Sequence, residues 1–251
     1  MPHGMTMSAS IDTVPTSPRL PSLPGRLVAV VCAPRTLFEA VVRTPRWAGI
    51  LALTFLVSAV PAAVLLQTEV GRLALVDQWE RVAAAFGQNV DDTRYAAMEE
   101  ASQNGFAYAA VSSLAGGPAL AAGTAAICFV AFGAARRGGA TYRQLLAVVA
   151  HAGVILALRQ VIVAPIAYAR ETLASPVTMS LFFTMLDEAS PTARFLGIID
   201  LFVLWWIVVL AIGLSVLFAR PARRLALIFV AVYLTLALLL AAAMVATGGT
   251  T

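Results

Sequence analysis

Lysine is absent from the 251 residues; the 17 basic residues are all arginine, and charged residues of either sign make up only 12% of the chain. An ordinary soluble domain carries roughly 25% charged residues, so a water-soluble globular enzyme is excluded. Histidine is nearly absent too, with only His3 and His151. A histidine-based metal centre would need acids or thiols that the apolar segments do not supply. The two cysteines, Cys32 and Cys128, lie in different segments without a partner motif, which implies neither a disulfide framework nor a metal site. The motifs HExxH, GxSxG and the phosphate-binding P-loop are missing as well; Gly213-Leu214-Ser215 runs on into Val216 and Leu217. These absences imply no enzyme, no cofactor and no nucleic-acid partner, although the formal charge is +4. Alternation of apolar and polar residues, the mark of a transmembrane barrel, is lacking.

What is abundant is apolar sequence: 60% of the residues are hydrophobic. Continuous Ala/Leu/Val runs recur at a length that lets an α-helix cross a hydrocarbon core of roughly 30 Å. The expected fold class is all-α, a polytopic transmembrane bundle of five spans at about 47–66, 108–134, 144–167, 195–219 and 225–246. Residues 1–26, with five prolines in the first 24, read as a disordered tail too poor in apolar residues to form a core. Residues 27–246 form the single transmembrane domain, opening on an apolar patch at Leu27–Ala33 that lies on the surface. Residues 247–251 are a second flexible tail.

Between Pro34 and Thr44 the pattern is amphipathic. Leu37, Phe38, Val41 and Val42 form one stripe, and Arg35, Glu39 and Arg43 form another at spacings of four. Pro34 suits a first helical turn and Pro45 ends it. Such a helix belongs in the headgroup layer or packed on the bundle. The stretch 67–107 holds seven acids and three arginines and forms the one large aqueous loop. Within it Asp91 or Asp92 is placed to cap a helix running to about Ser102. In the second span Gly116, Gly117 and Gly123 form a small-residue stretch that admits a close neighbour. Ser190-Pro191 supplies a cap and first-turn pair for the fourth span.

Eleven arginines fall on the side of the amino terminus and five on the other. By the positive-inside rule the amino terminus is cytoplasmic and the carboxyl terminus outside, which, with an Ala- and Arg-rich composition, points to a bacterial inner membrane. Inside the spans the ionisable residues are functional candidates by default. Arg159 lies fifteen residues beyond Gln144, about 22 Å at about 1.5 Å per residue. That places it roughly 8 Å beneath the far boundary. Asp200, five residues into the fourth span, lies at a similar depth, so the two can pair. His151 and Ile155 complete a row with Arg159 at spacings of four. These residues order the bundle, or they serve a transport path.

Three segments carry a family resemblance: APRTLFEAVVRTPRW (33–47), GGATYRQLLAVVAHAG (138–153) and DLFVLWWIVVLAIGL (200–214). They resemble, in order and spacing, the recognisable stretches of the Yip (Ypt/Rab-interacting protein) domain family, and the resemblance covers roughly 33–243. It implies a bacterial-type member of a family of five-span proteins with a cytosolic amino terminus, whose eukaryotic members are associated with Rab GTPases and vesicle traffic. Where the family often has a proline soon after the Tyr-Arg-Gln-Leu-Leu stretch, this chain stays apolar until Pro165. The implied function is a non-enzymatic scaffold or interaction protein in membrane organisation or trafficking. Its interface would comprise Arg35, Phe38, Val41, Arg43, Arg136, Arg137, Arg223 and Arg224, and its partners the bilayer, anionic lipid, or another membrane or cytosolic protein. The alternative is a small transporter or permease subunit using Arg159, Asp200 and His151.

Overall fold

The computed structural model describes residues 20–133, 140–183, 185 and 190–248. Among them the regular structure is helical, with one isolated β-bridge between Thr178 and Asp200. Five helical stretches are long and apolar enough to cross a membrane: Ala48–Gln67, Gly105–Phe132, Tyr142–Ala169, Leu201–Phe218 and Ala222–Thr247. Their outward faces carry Leu56, Val60, Ile127, Leu236 and Leu239, each more than half exposed. Water does not tolerate apolar patches of that extent on a monomer, and hydrocarbon does.

Two short helices precede the first span: α1 (Leu23–Cys32) and α2 (Pro34–Arg43). Helix α1 starts four residues before the apolar patch at Leu27, inside the segment expected to be tail, and its Val30 is buried in the main core rather than lying on a surface. The first span is α3 (Ala48–Gln67), followed by α4 (Glu69–Ala85) and α5 (Asp92–Ser102). The acid-rich loop is therefore two helices. Each has a side-chain cap, Thr68 accepting from Gly71 N and Asp91 from Arg94 N, so orphan first-turn N–H groups are satisfied.

The second span, α6 (Gly105–Cys128), runs on as a π-helical turn at Phe129–Gly133. Its Gly116, Gly117 and Gly123 face open space, with no atom beyond the adjoining residues and the local helix backbone within 4 Å of a Cβ added at any of them. The close approach expected there occurs instead on the fourth span. The third span consists of α7 (Tyr142–Ala152) and α8 (Val154–Ala169), joined at Gly153. After a 3₁₀ turn at Met179–Phe182 comes α9 (Pro191–Ile198), capped by Ser190 with Pro191 in its first turn. The fourth span is α10 (Leu201–Phe218) and the fifth α11 (Ala222–Gly248).

In the bundle α3 packs on α6 and α8, and α10 packs on α11, α2 and α7. The core joins Phe38, Val41, Ile50, Val148, Ile155 and Leu214. Lipid tails are as apolar as these side chains, so close van der Waals contact drives helix association within a bilayer. Gly213 marks the tightest contact: a Cβ there would lie 2.5 Å from Val148 Cγ1 and 3.1 Å from the Phe38 ring. Only a residue without a side chain lets α10 sit this close to α7 and α2.

Candidate functional site

The five spans alternate in direction, so α2, the start of α7, the end of α10 and the start of α11 share one end of the bundle. Helix α2 is amphipathic as expected, but its apolar stripe faces inward. Phe38 and Val41 are both 0% exposed, which corrects their assignment to a partner-binding surface. The reason is Gly213, whose missing side chain opens the space that the Phe38 ring occupies.

A second tie comes from the Tyr-Arg-Gln-Leu-Leu stretch. The Thr141 hydroxyl accepts from Gln144 N at 3.3 Å, and Thr141 N donates to Gln144 Oε1 at 2.9 Å, a reciprocal capping box. Gln144 Nε2 then donates to the Val42 carbonyl at 3.0 Å, one of the carbonyls left unpaired at the end of α2. One glutamine thus opens α7 and closes α2.

With the apolar stripe turned inward, the polar stripe is what α2 presents. Arg35, Arg43 and Arg46 are exposed, as are Arg143, Arg220, Arg223 and Arg224 at the same end. Glu39 is the one acid among the described residues there, and Arg35 Nε reaches it at 3.4 Å. The Arg220 guanidinium lies 5.9 Å from the centre of the Phe132 ring, within range of a cation–π attraction. Arg26 behaves differently: it is buried, donates to the Pro21 carbonyl at 2.9 Å, and has its pKa lowered first by burial and then by the charge of Arg46. Arg136 and Arg137 lie outside the described residues.

The structure brings Arg159 and Asp200 together at the opposite end. Arg159 Nε donates to Asp200 Oδ2 at 2.7 Å and Arg159 Nη2 donates to Ser175 Oγ at 3.0 Å. Ser175 Oγ donates in turn to Asp200 Oδ2 at 3.1 Å. The other carboxylate oxygen accepts from Phe202 N at 2.8 Å and Val203 N at 3.3 Å, capping α10. Asp200 N donates to the Tyr233 hydroxyl at 3.0 Å, which itself donates to the Ile198 carbonyl at 2.8 Å.

Asp200 is therefore the cap of the fourth span rather than a residue five positions inside it. The apolar stretch 195–199 belongs mostly to the separate helix α9. Backbone bonds from Met179 N to Ile199 O (2.8 Å) and from Leu201 N to Val177 O (3.0 Å) hold the chain extended between α9 and α10. Ser175 and Tyr233, absent from the expected set, complete the network. As neutral polar residues, one in the connection after α8 and one midway along α11, they carry no signal that separates them from other hydroxyls.

His151 stands apart from this network. It is 0% exposed, and its Nδ1 donates to the Ala147 carbonyl at 2.7 Å. Among the described residues no hydrogen bond or ion pair joins it to Arg159 or Asp200. Gly153, with helical φ and ψ, joins the helix of His151 to that of Arg159.

No curated protein and no solved structure matches the chain. Residues 28–244 match the Yip1 domain, a stretch that begins in α1, takes in the first four spans and ends within the fifth, α11. An integral membrane bundle of five spanning helices, entered through a short amphipathic helix docked on its core, thus belongs to the Yip1 domain family.

Proposed function

We propose that the protein is a non-enzymatic scaffold of membrane organisation or trafficking that presents its arginine-rich end to an acidic partner on the cytoplasmic side of a bacterial inner membrane. The observation that carries this reading is the display of Arg35 and Arg43 from a helix locked to the bundle by Phe38 and Gln144, beside exposed Arg143, Arg223 and Arg224 and, among the described residues, a single acid. A basic side chain next to an anionic surface gains about 1 kcal/mol. Rigid presentation also lowers the entropy lost when a partner docks. The Arg159–Asp200 pair supports a joint rather than a carrier site, since Asp200 spends both carboxylate oxygens on protein groups.

Proximity labelling from the amino terminus tests the reading in cells carrying either the native chain or a variant with Arg35, Arg43, Arg223 and Arg224 changed to Gln. The variant should insert in equal amount and lose the labelled set found with the native chain; an unchanged set would refute the proposal. Substrate-specific uptake by reconstituted protein, abolished by Arg159→Leu in a folded chain, would favour the transporter instead.

A further inference from the structure

A pocket of about 210 Å³ opens between the end of α3, α4, the start of α6 and the second half of α8. Leu65, Leu66, Val163 and Ala164 form an apolar part of its wall, and Gln78, Tyr108, Arg159 and Gln160 also line it. Among the described residues no carboxylate lines it. A guanidinium has five N–H donors, and Arg159 commits one to Asp200 and one to Ser175, leaving three. Among the described residues no protein group pairs with the side-chain amides of Gln78 or Gln160 or with the Tyr108 hydroxyl. Together these side chains supply a dense set of uncommitted donors. Gln78 and Tyr108 lie beside the junctions at which α3 ends and α6 begins, so the pocket reaches from that end of the spans toward Arg159 inside the third span.

We propose that this pocket binds the phosphodiester group of a phospholipid, with the apolar wall receiving the first part of an acyl chain. A phosphodiester offers acceptors only and carries the negative charge that favours Arg159 over water as its partner. Asp200 and Ser175, bonded to Nε and Nη2, hold Arg159 in place. An ester carbonyl alone would occupy one or two of these donors; the phosphodiester takes several at once.

The test uses the full-length protein in detergent, with native mass spectrometry and thermal unfolding as readouts. The probes are dioleoylphosphatidylglycerol, dioleoylglycerol with the same chains and no phosphate, and inorganic phosphate. The phospholipid should remain bound and raise the unfolding temperature, and the other two should do neither. Gln78→Leu with Gln160→Leu removes two neutral amide groups, and losing one hydrogen bond from each should weaken phospholipid binding by about tenfold or more. Neither side chain holds the fold by a hydrogen bond to a described residue, and an unchanged circular dichroism spectrum checks this. Equal retention of dioleoylglycerol would show that chain burial alone governs the pocket. Equal stabilisation by inorganic phosphate would assign it to a free anion, and undiminished phospholipid binding by the double variant would remove these donors from the site. Each of these three results overturns the proposal.

Discussion

Because Asp200 both pairs with Arg159 and caps α10, its removal and the removal of its partner should not be equivalent. Arg159→Leu deletes the bonds to Asp200 and Ser175, but the carboxylate keeps the Ser175 hydroxyl and two backbone N–H groups. Breaking a buried pair costs about 3–5 kcal/mol. With 26% of the Arg159 side chain exposed and the Asp200 carboxylate still bonded, the expected loss is about 2–3 kcal/mol. Asp200→Leu removes the same pair, leaves a guanidinium with only Ser175, and uncaps α10, which adds about 1 kcal/mol. Asp200→Ser separates these contributions, since serine is an effective cap without charge. It should be less damaging than Asp200→Leu by about that 1 kcal/mol. Combining Arg159→Leu with Asp200→Ser should then cost less than the sum of the single changes by about 1–3 kcal/mol, the coupling expected of residues in direct contact. Unfolding of the full-length protein in lipid-free detergent, followed by the fluorescence of its four tryptophans, measures each value. A coupling below about 0.5 kcal/mol would show that the pair does not act as a unit. Equal loss from Asp200→Ser and Asp200→Leu would show that capping contributes nothing.

Two further expectations rest on other parts of the fold. Gly213→Ala should cost about 1–3 kcal/mol, as overpacking of a core does, because both Val148 and Phe38 are fully enclosed. Gly117→Ala, on an open face of α6, should change stability by no more than about 1 kcal/mol. Thermal unfolding of the two variants in parallel checks the contrast, and equal behaviour would refute the packing assignment. For orientation, in a chain with Cys32 and Cys128 replaced by serine, a cysteine at the exposed Ala101 should react with an impermeant thiol reagent in intact cells. One at the exposed Thr36 should react only after lysis; the reverse pattern would invert the topology.

The spans were legible because hydrocarbon thickness sets a length that a run of apolar residues either meets or does not. Helix α2 was legible as a helix for a similar reason: the spacing of Leu37, Phe38 and Val41 fixes which side is apolar. It does not fix what that side touches. A stripe docked on the core and a stripe offered to a partner have the same periodicity, and the element that decides between them here, Gly213, lies 175 positions from Phe38. The same limit explains the glycines of α6, where small residues permit a close neighbour without supplying one.

Asp200 shows how an expectation about a site can reach the right partner through an inexact geometry. Depth along an unbroken fourth span placed it near Arg159, yet the span begins only at Leu201, because residues 177–179 pair with the backbone around Ile199 and hold it extended. Hydropathy across 195–205 dips at Asp200, as it would for one acid buried in an unbroken span, and so cannot register that interruption, which is made by a distant segment. The pairing survived the error because charges within spans are few and costly to leave alone, so a lone arginine and a lone aspartate near the same end have few other partners. Neutral hydroxyls carry no such penalty, and Ser175 and Tyr233 therefore emerge only from the geometry. The electrostatic cost that makes intramembrane charges rare is also what makes their contacts readable from sequence, whereas the hydrogen bonds that orient them depend on chain geometry that composition does not encode.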